Sequence, residues 1–335
     1  MGARMGDGGV RAVARRRGHG WILALVLASL AAGWHPAPAS AVIIGIGEQK
    51  PDMFTSRPWK RLDVRHARYI APWDALRDPY QRQLLDTWMA QARRAHVKVL
   101  LGFGHSLRSQ AAARVLPTVA QFKRAFRRFR ARYPEVRDWL VWNEGNHPGS
   151  LTGRHPRRAA QYFDVVARNC RGCRIVAADL LDVRSMVPWL IAFLRHAKER
   201  PRIWGLHNYG DVNGNKTFGI GALLALTSGE IWFTETGGLV VRRQYRGRRV
   251  VATYRYSLRH AANATRRALR MACLSPRIRR VYLYHWRATN PVTSWDSALL
   301  SAGGRPRPAY QVLLRSTRDG ATAADRRTGA RLRCR

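Results

Sequence analysis

The sequence predicts a single α/β domain folded as a (β/α)8 (TIM) barrel, on three observations. Short continuous apolar runs alternate with amphipathic helical patterns, which indicates a parallel sheet covered by helices. There are eight such runs in about 275 residues, the number that closes a barrel. The first run leads into "GIGEQK", which lacks the third glycine of a dinucleotide-binding turn, so an open doubly wound sheet is unsupported.

Taken in order, the apolar runs span residues 41–47, 64–73, 97–103, 138–144, 174–180, 202–208, 231–236 and 281–286. Between them lie "DPYQRQLLDTWMAQARRA", "TVAQFKRAFRRFRARY", "HPRRAAQYFDVVARN", "VPWLIAFLRHAKE" and "ATYRYSLRHAANATRRALRMA". Each places apolar residues at three- and four-residue intervals, with Arg on the other face. Pro79, Pro117, Pro156 and Pro188 fall near helix starts, where a missing N–H costs little. From about Thr317 the chain is small and polar, and it is expected to be a disordered basic tail. The expected plan is therefore a signal peptide at 1–41, a barrel at 42–316 and a tail at 317–335.

Export is expected from the first of these segments. A basic stretch, "RAVARRRGHG", precedes the apolar "WILALVLASLAAG", and "HPAPASA" offers small-residue cleavage sites. Thirteen apolar residues are too few to span a bilayer comfortably, and no other run is long enough. A secreted or cell-envelope protein, monomeric and without a stable membrane span after cleavage, is the expectation. In that oxidising setting Cys170 and Cys173, a CxxC that closes a helix rather than opening one, are expected to form a small structural disulfide. The pairing of Cys273 and Cys334 stays open.

The formal charge is +40, and 54 of the 60 basic residues are Arg. Such a surface would adhere to an anionic cell-envelope polymer, or it is solvated decoration. Specific nucleic-acid binding would want a localised basic patch with interleaved aromatics. The best stretch for that, "FKRAFRRFRARY", repeats its aromatics at helical spacing and reads as a barrel helix with an Arg-rich outer face.

In a barrel, chemistry gathers at the C-terminal ends of the strands. Strand four ends in Asn143-Glu144 and strand seven in Glu235. Strand two carries Arg68, strand three leads to His105, and strand five supplies Asp179. Strand six ends in His207 and Tyr209, and strand eight in Trp286. The chain has only six Glu, and Glu48, Glu144 and Glu235 alone fall on the catalytic rim. Two facing carboxyls suffice for glycoside cleavage: one protonates the leaving oxygen, the other attacks the anomeric carbon or activates water. Arg68 would hold Glu235 charged, Tyr209 or His207 could donate to it, and Asn143 is placed to hold a sugar hydroxyl. Trp73, Trp204 and Trp295 are candidates to stack on sugars, Trp295 foremost because it follows strand eight. His105 reads equally as scaffold or substrate contact. The His show no HExxH spacing, so neither a catalytic metal nor a cofactor is expected. "GHSLRS" is not a GxSxG elbow.

The order "NE" on strand four, "TE" on strand seven, His-x-Tyr after strand six and Trp after strand eight resembles the clan A glycoside hydrolases, retaining (β/α)8 enzymes. The resemblance covers residues 42–316. It implies that Glu144 is the acid/base, Asn143 its substrate-binding neighbour, Glu235 the nucleophile and Trp286 the floor of the subsite where cleavage occurs. The bare barrel is loosely similar to the Asl1-like β-glucanase group. Where clan enzymes often read "NEP", Gly145 follows Glu144 here, which leaves the family open. Two other classes remain: a non-catalytic carbohydrate-binding barrel, against which both Glu stand, and a basic surface-binding protein driven by charge.

Overall fold

The computed structural model describes residues 41–246, 249–289, 294–319 and 321–334, so the expected export signal lies outside the described residues apart from its last position. Eight parallel strands close on themselves: β1 (Ala41–Gly47), β2 (His66–Pro72), β3 (Lys98–Gly104), β4 (Asp138–Leu140), β5 (Arg174–Leu181), β6 (Ile203–His207), β7 (Glu230–Thr236) and β10 (Ile278–Tyr284). Each pairs with its neighbour in order, and β10 returns to β1, with Ile43 opposite Arg280 and Gly47 opposite Tyr284. This is a (β/α)8 barrel. Beyond β7 a hairpin of β8 (Val241–Arg246) and β9 (Arg249–Tyr254) takes up β11 (Trp295–Asp296) as a third strand.

The helices follow the apolar spacing. Short α1 (Arg57–Lys60) and α3 (Gln110–Ala113) decorate loops, while α2 (Pro79–Arg94), α4 (Val119–Arg132), α5 (Pro156–Asn169) and α6 (Met186–His196) cover the sheet. In α2, Asp78 caps the N-terminus and Pro79 occupies the first turn, where no N–H partner is needed. In α4, Thr118 and Gln121 form a reciprocal capping box. Its Phe122, Phe126 and Phe129 are buried against Phe103, and Phe126 against Trp139, leaving Arg124, Arg127, Arg128 and Arg132 outward. The stretch with interleaved aromatics is thus the barrel helix its spacing indicates. Next come α7 (Tyr209–Gly214), α8 (Phe218–Leu226), α9 (Leu258–Met271), α10 (Pro308–Arg318) and α11 (Ala323–Thr328).

Most of the core lies between barrel and helices. Inside the barrel sits a smaller apolar plug of Leu100, Leu140, Val176, Ile203, Trp232 and Tyr282. Below the plug, at the N-terminal rim, buried Arg280 reaches Asp138 at 2.5 Å and stacks 3.8 Å from the Trp232 ring centre. Burial and the nearby Arg280 charge push His66 down to about 3, so it stays neutral.

The expectation of a disordered tail needs correction. α11 starts in a Thr322–Asp325 capping box, and β12 (Arg331–Arg333) pairs antiparallel with β1. Asp325 takes both Arg331 and Arg333, and Cys334 is bonded to Cys273. Composition hid this because order here comes from strand pairing and a covalent tie, not from apolar content. Among the described residues, no helix is long and apolar enough to cross a membrane.

Candidate active site

β4 keeps ladder geometry for three residues only, shorter than the apolar run suggested. Past it the backbone stays tied to both neighbours, with Asn143 N–H donating to Phe103 (2.7 Å) and Gly145 N–H to Asp179 (2.7 Å). Between them Glu144 turns to a left-handed φ of 49°, a costly conformation for a non-glycine residue, which aims its side chain over the barrel mouth. Across the mouth, Glu235 lies beside His207 in the β6–β7 register. Single oxygens of Glu144 and Glu235 and a ring nitrogen of His207 all lie within 4.8 Å of one another.

A buried charge network holds these groups. Arg68, 2 % exposed, donates to Glu235 at 2.7 Å, to Asn143 Oδ1 at 2.5 Å and to Asp179 at 3.3 Å. Asp179, fully buried, also accepts from His207 Nε2 at 2.9 Å and from Thr234. Gly205 makes room for it, since a Cβ there would run into Asp179 Oδ1. The other ring nitrogen, Nδ1, faces Glu144 at 3.2 Å. Tyr209 donates its O–H to Glu235 at 3.3 Å.

Charge assignments follow from these contacts. Burial works against charge on His207, but Asp179 and Glu235 outweigh it and push the imidazole up to about 10. Burial would raise Glu144, yet the His207 hydrogen bond and charge more than offset this and hold it below its ordinary value. In the open cleft the proton of the pair therefore rests on His207. Burial, then the charge of Glu235, keeps the Tyr209 phenol protonated and able to donate. The Glu144–His207–Glu235 set could ligate a cation on geometry alone. The Arg68 guanidinium 2.7 Å from Glu235 and the charge on His207 oppose one, so the set suits proton transfer better.

The cleft above has a volume of about 690 Å³ and includes Glu48, Glu144, His147, Asp182, Tyr209, Glu235, Tyr284 and Trp295 in its lining. Of the expected site residues, Glu144, Glu235, Tyr209 and Trp295 line it. Arg68, Asp179 and His207 lie beneath and position the carboxylates rather than presenting to a ligand. Asn143 is half-buried beside Arg68. His105 is exposed on the loop after β3, outside the cleft lining.

The implied role of Trp286 as subsite floor needs correction. It is 2 % exposed, and its ring packs against Trp59 and Tyr310 behind the barrel. The strand ends earlier than expected, and Tyr284 takes the place on the cleft wall. Trp204 is buried, donating to Ser228, and Trp73 is buried away from the cleft. Cys170 and Cys173 are disulfide-bonded.

Two further carboxyls line the cleft: Glu48, which the sequence already places on the rim, and Asp182, which it does not single out. Glu48, at the end of β1, accepts backbone N–H groups from Gln49, Lys50, Trp286 and Arg287, so it ties β1 to the loop after β10. Asp182 follows β5 and is pushed up to about 7 by burial, against N–H donation from Asp211 and Gly210. For Asp182, the position just past the end of β5 was the available signal.

Residues 109–303 match the family model described as "Glycosyl hydrolase catalytic core", more than half of the chain. The chain belongs to the glycosyl hydrolase catalytic core family. No curated protein matches. Solved structures share the barrel of this glycosyl hydrolase. It is similar to fungal β-1,4-galactanase, with a TM-score of 0.60, 12% identity, and coverage of 82% of this chain and 99% of that one. GH5_18 from Streptomyces cattleya in complex with GlcNAc gives 0.57 and 13%, covering 87% and 81%. A family 39 glycoside hydrolase from Bacteroides cellulosilyticus WH2 gives 0.52 and 14%, covering 81% of this chain. The chain spans 62% of that last protein's length.

Proposed function

We propose that the protein is a secreted, monomeric, retaining glycosidase of clan A, with Glu235 as nucleophile and Glu144 as acid/base, acting on a poly- or oligosaccharide. The observation that carries this is the gap between the two carboxylates. Oxygens within 4.8 Å suit double displacement, whose carboxyls stand about 5–5.5 Å apart; inversion needs about 6.5–9.5 Å to admit a water.

The steps follow from the contacts. Arg68 and Tyr209 orient one Glu235 oxygen each, so the carboxylate attacks the anomeric carbon as the glycosidic bond breaks. Glu144 gives a proton to the departing oxygen. A bound sugar displaces water from the cleft, which disfavours the carboxylate form and draws the shared proton from His207 Nδ1 to Glu144. Asn143 spends its carbonyl on Arg68, leaving its NH2 free to donate to a sugar hydroxyl. Water, deprotonated by Glu144, then cleaves the glycosyl–Glu235 ester and restores both carboxyls.

Export rests on the apolar amino-terminal segment and on two disulfides suited to an oxidising compartment. Within the clan, the compact barrel is what supports a loose similarity to the Asl1-like group. The net charge of +40 favours residence near an anionic cell-envelope polymer.

Azide separates the roles. Glu144→Ala should still form the glycosyl-enzyme from substrates with good leaving groups, and azide, which needs no base, should restore turnover with retained configuration. Glu235→Ala should lose retaining chemistry on every substrate. An inverted azide product from Glu144→Ala, with retention from Glu235→Ala, would exchange the two assignments.

A further inference from the structure

The cleft is electrically lopsided. The side formed after β4, β5 and β6 carries His147, Asp182 and Glu144, whereas the side formed after β7, β10 and β1 carries Lys50, Arg242 and Arg287. The carboxylates on that second side are already committed: Glu235 to Arg68 and Tyr209, Glu48 to four backbone N–H groups. Arg287 pairs with Asp52, which is not part of the cleft lining. Lys50 and Arg242 form no ion pair among the described residues; Arg242 lies instead over Trp295, 5.2 Å from the ring centre. That ring meets Tyr209 edge-on at 4.7 Å, and Tyr209 donates to Glu235. Arg242 is thus two aromatic contacts from Tyr209, which donates to the nucleophile, and it lines the same cleft.

Resting on the glycosidase reading above, we infer that the substrate is an acidic glycan whose uronic-acid sugar adjoins the cleaved one, its carboxylate held by Arg242 and Lys50. A neutral glycan lying in the cleft would strip water from these cations and return no charge, which is costly. A carboxylate matches the planar guanidinium in two parallel hydrogen bonds, and Trp295 holds that guanidinium in place from behind. Two cations above low-dielectric walls also focus field lines, raising the local concentration of an anionic chain.

The test pairs neutral β-linked polysaccharides with the same polymers oxidised at C6 to uronates, and reads both binding by affinity electrophoresis and hydrolysis. The full protein should favour the oxidised form. Lys50→Gln/Arg242→Gln should raise KM for it roughly tenfold per lost charged contact and bring its binding to the level of the neutral polymer. Arg200→Gln/Arg279→Gln, which removes equal charge from the opposite rim, should change nothing. Selective binding abolished by the first pair supports the inference even if no polymer is cleaved, and in that case the glycosidase reading fails instead. Equal binding of neutral and oxidised polymers, selectivity that survives the cleft substitutions, equal loss from the rim pair, or stronger binding of a sulfated polymer of equal charge density would overturn it.

Discussion

Replacing Asp179 with Asn should move the proton that the acid/base needs, without touching any group that faces the cleft. In the native network Asp179 stands 2.9 Å from His207 Nε2 and 3.3 Å from Arg68, with no exposure to water. At an effective dielectric near 20, one charge pair at this range is worth about 4 kcal/mol, or roughly three pKa units. Asn keeps a neutral hydrogen bond, so a drop of one to three units in His207, from about 10, is expected. The sign follows: losing the anion lets His207 shed its proton at lower pH, and Glu144 loses its charged neighbour. The basic limb of kcat/KM should therefore shift toward acid by at least about one unit, while the fold and KM at low pH persist. Titration of the His207 ring by 15N NMR reads the same shift without substrate. A basic limb and a ring titration within about 0.3 unit of wild type, in a folded Asp179→Asn protein, would refute the reasoning.

Stability should carry its own pH signature. His207 is raised above its ordinary value, so its contribution is full below about 6.5 and fades as pH climbs toward about 10. His66 and His285 are depressed, to about 3 and about 4, so their contributions hold above about 6.5 and drain away as pH falls. A Tm series across pH should decline on both sides, and His66→Gln should flatten the acid side alone. Cys273→Ser/Cys334→Ser should cost about 4 kcal/mol, from a loop closed over 61 residues, and Cys170→Ser/Cys173→Ser only about 2 kcal/mol, from a loop of 3. Denaturant melts of the two double variants give the comparison, and equal losses would contradict the loop-length argument.

The barrel was legible because its signals are local: each strand is an apolar run, and each covering helix repeats at its own period. The carboxylates were legible because Glu is scarce and strand ends are where barrels keep chemistry. What escaped were features without local periodicity. The stretch "ATYRYS" has the spacing of a helix start, yet β9 runs to Tyr254 and α9 begins only at Leu258, its N-terminus capped by Ser257. The apolar run continues two residues past the end of β10 at Tyr284, so spacing along it puts Trp286 on the cleft wall whereas the fold turns it away. The division of Arg68, Asp179 and His207 into supports rather than contacts depends on depth, which spacing along the chain does not encode.

The ion pairs inside the barrel bear on how the cylinder closes. Arg280 joins β10 to β4 across the interior at one end, and Arg68 joins β2 to β5 and β7 at the other. An interior made only of branched aliphatics would accept several staggers of eight similar strands with modest loss. A slip of one residue turns every side chain to the opposite face, and here it would strand a guanidinium or a carboxylate in a dry interior, at about 3–5 kcal/mol for each broken pair. The two tiers of charge thus favour one stagger over its one-residue neighbours. In a chain so rich in arginine, these two earn their place by fidelity rather than by adhesion.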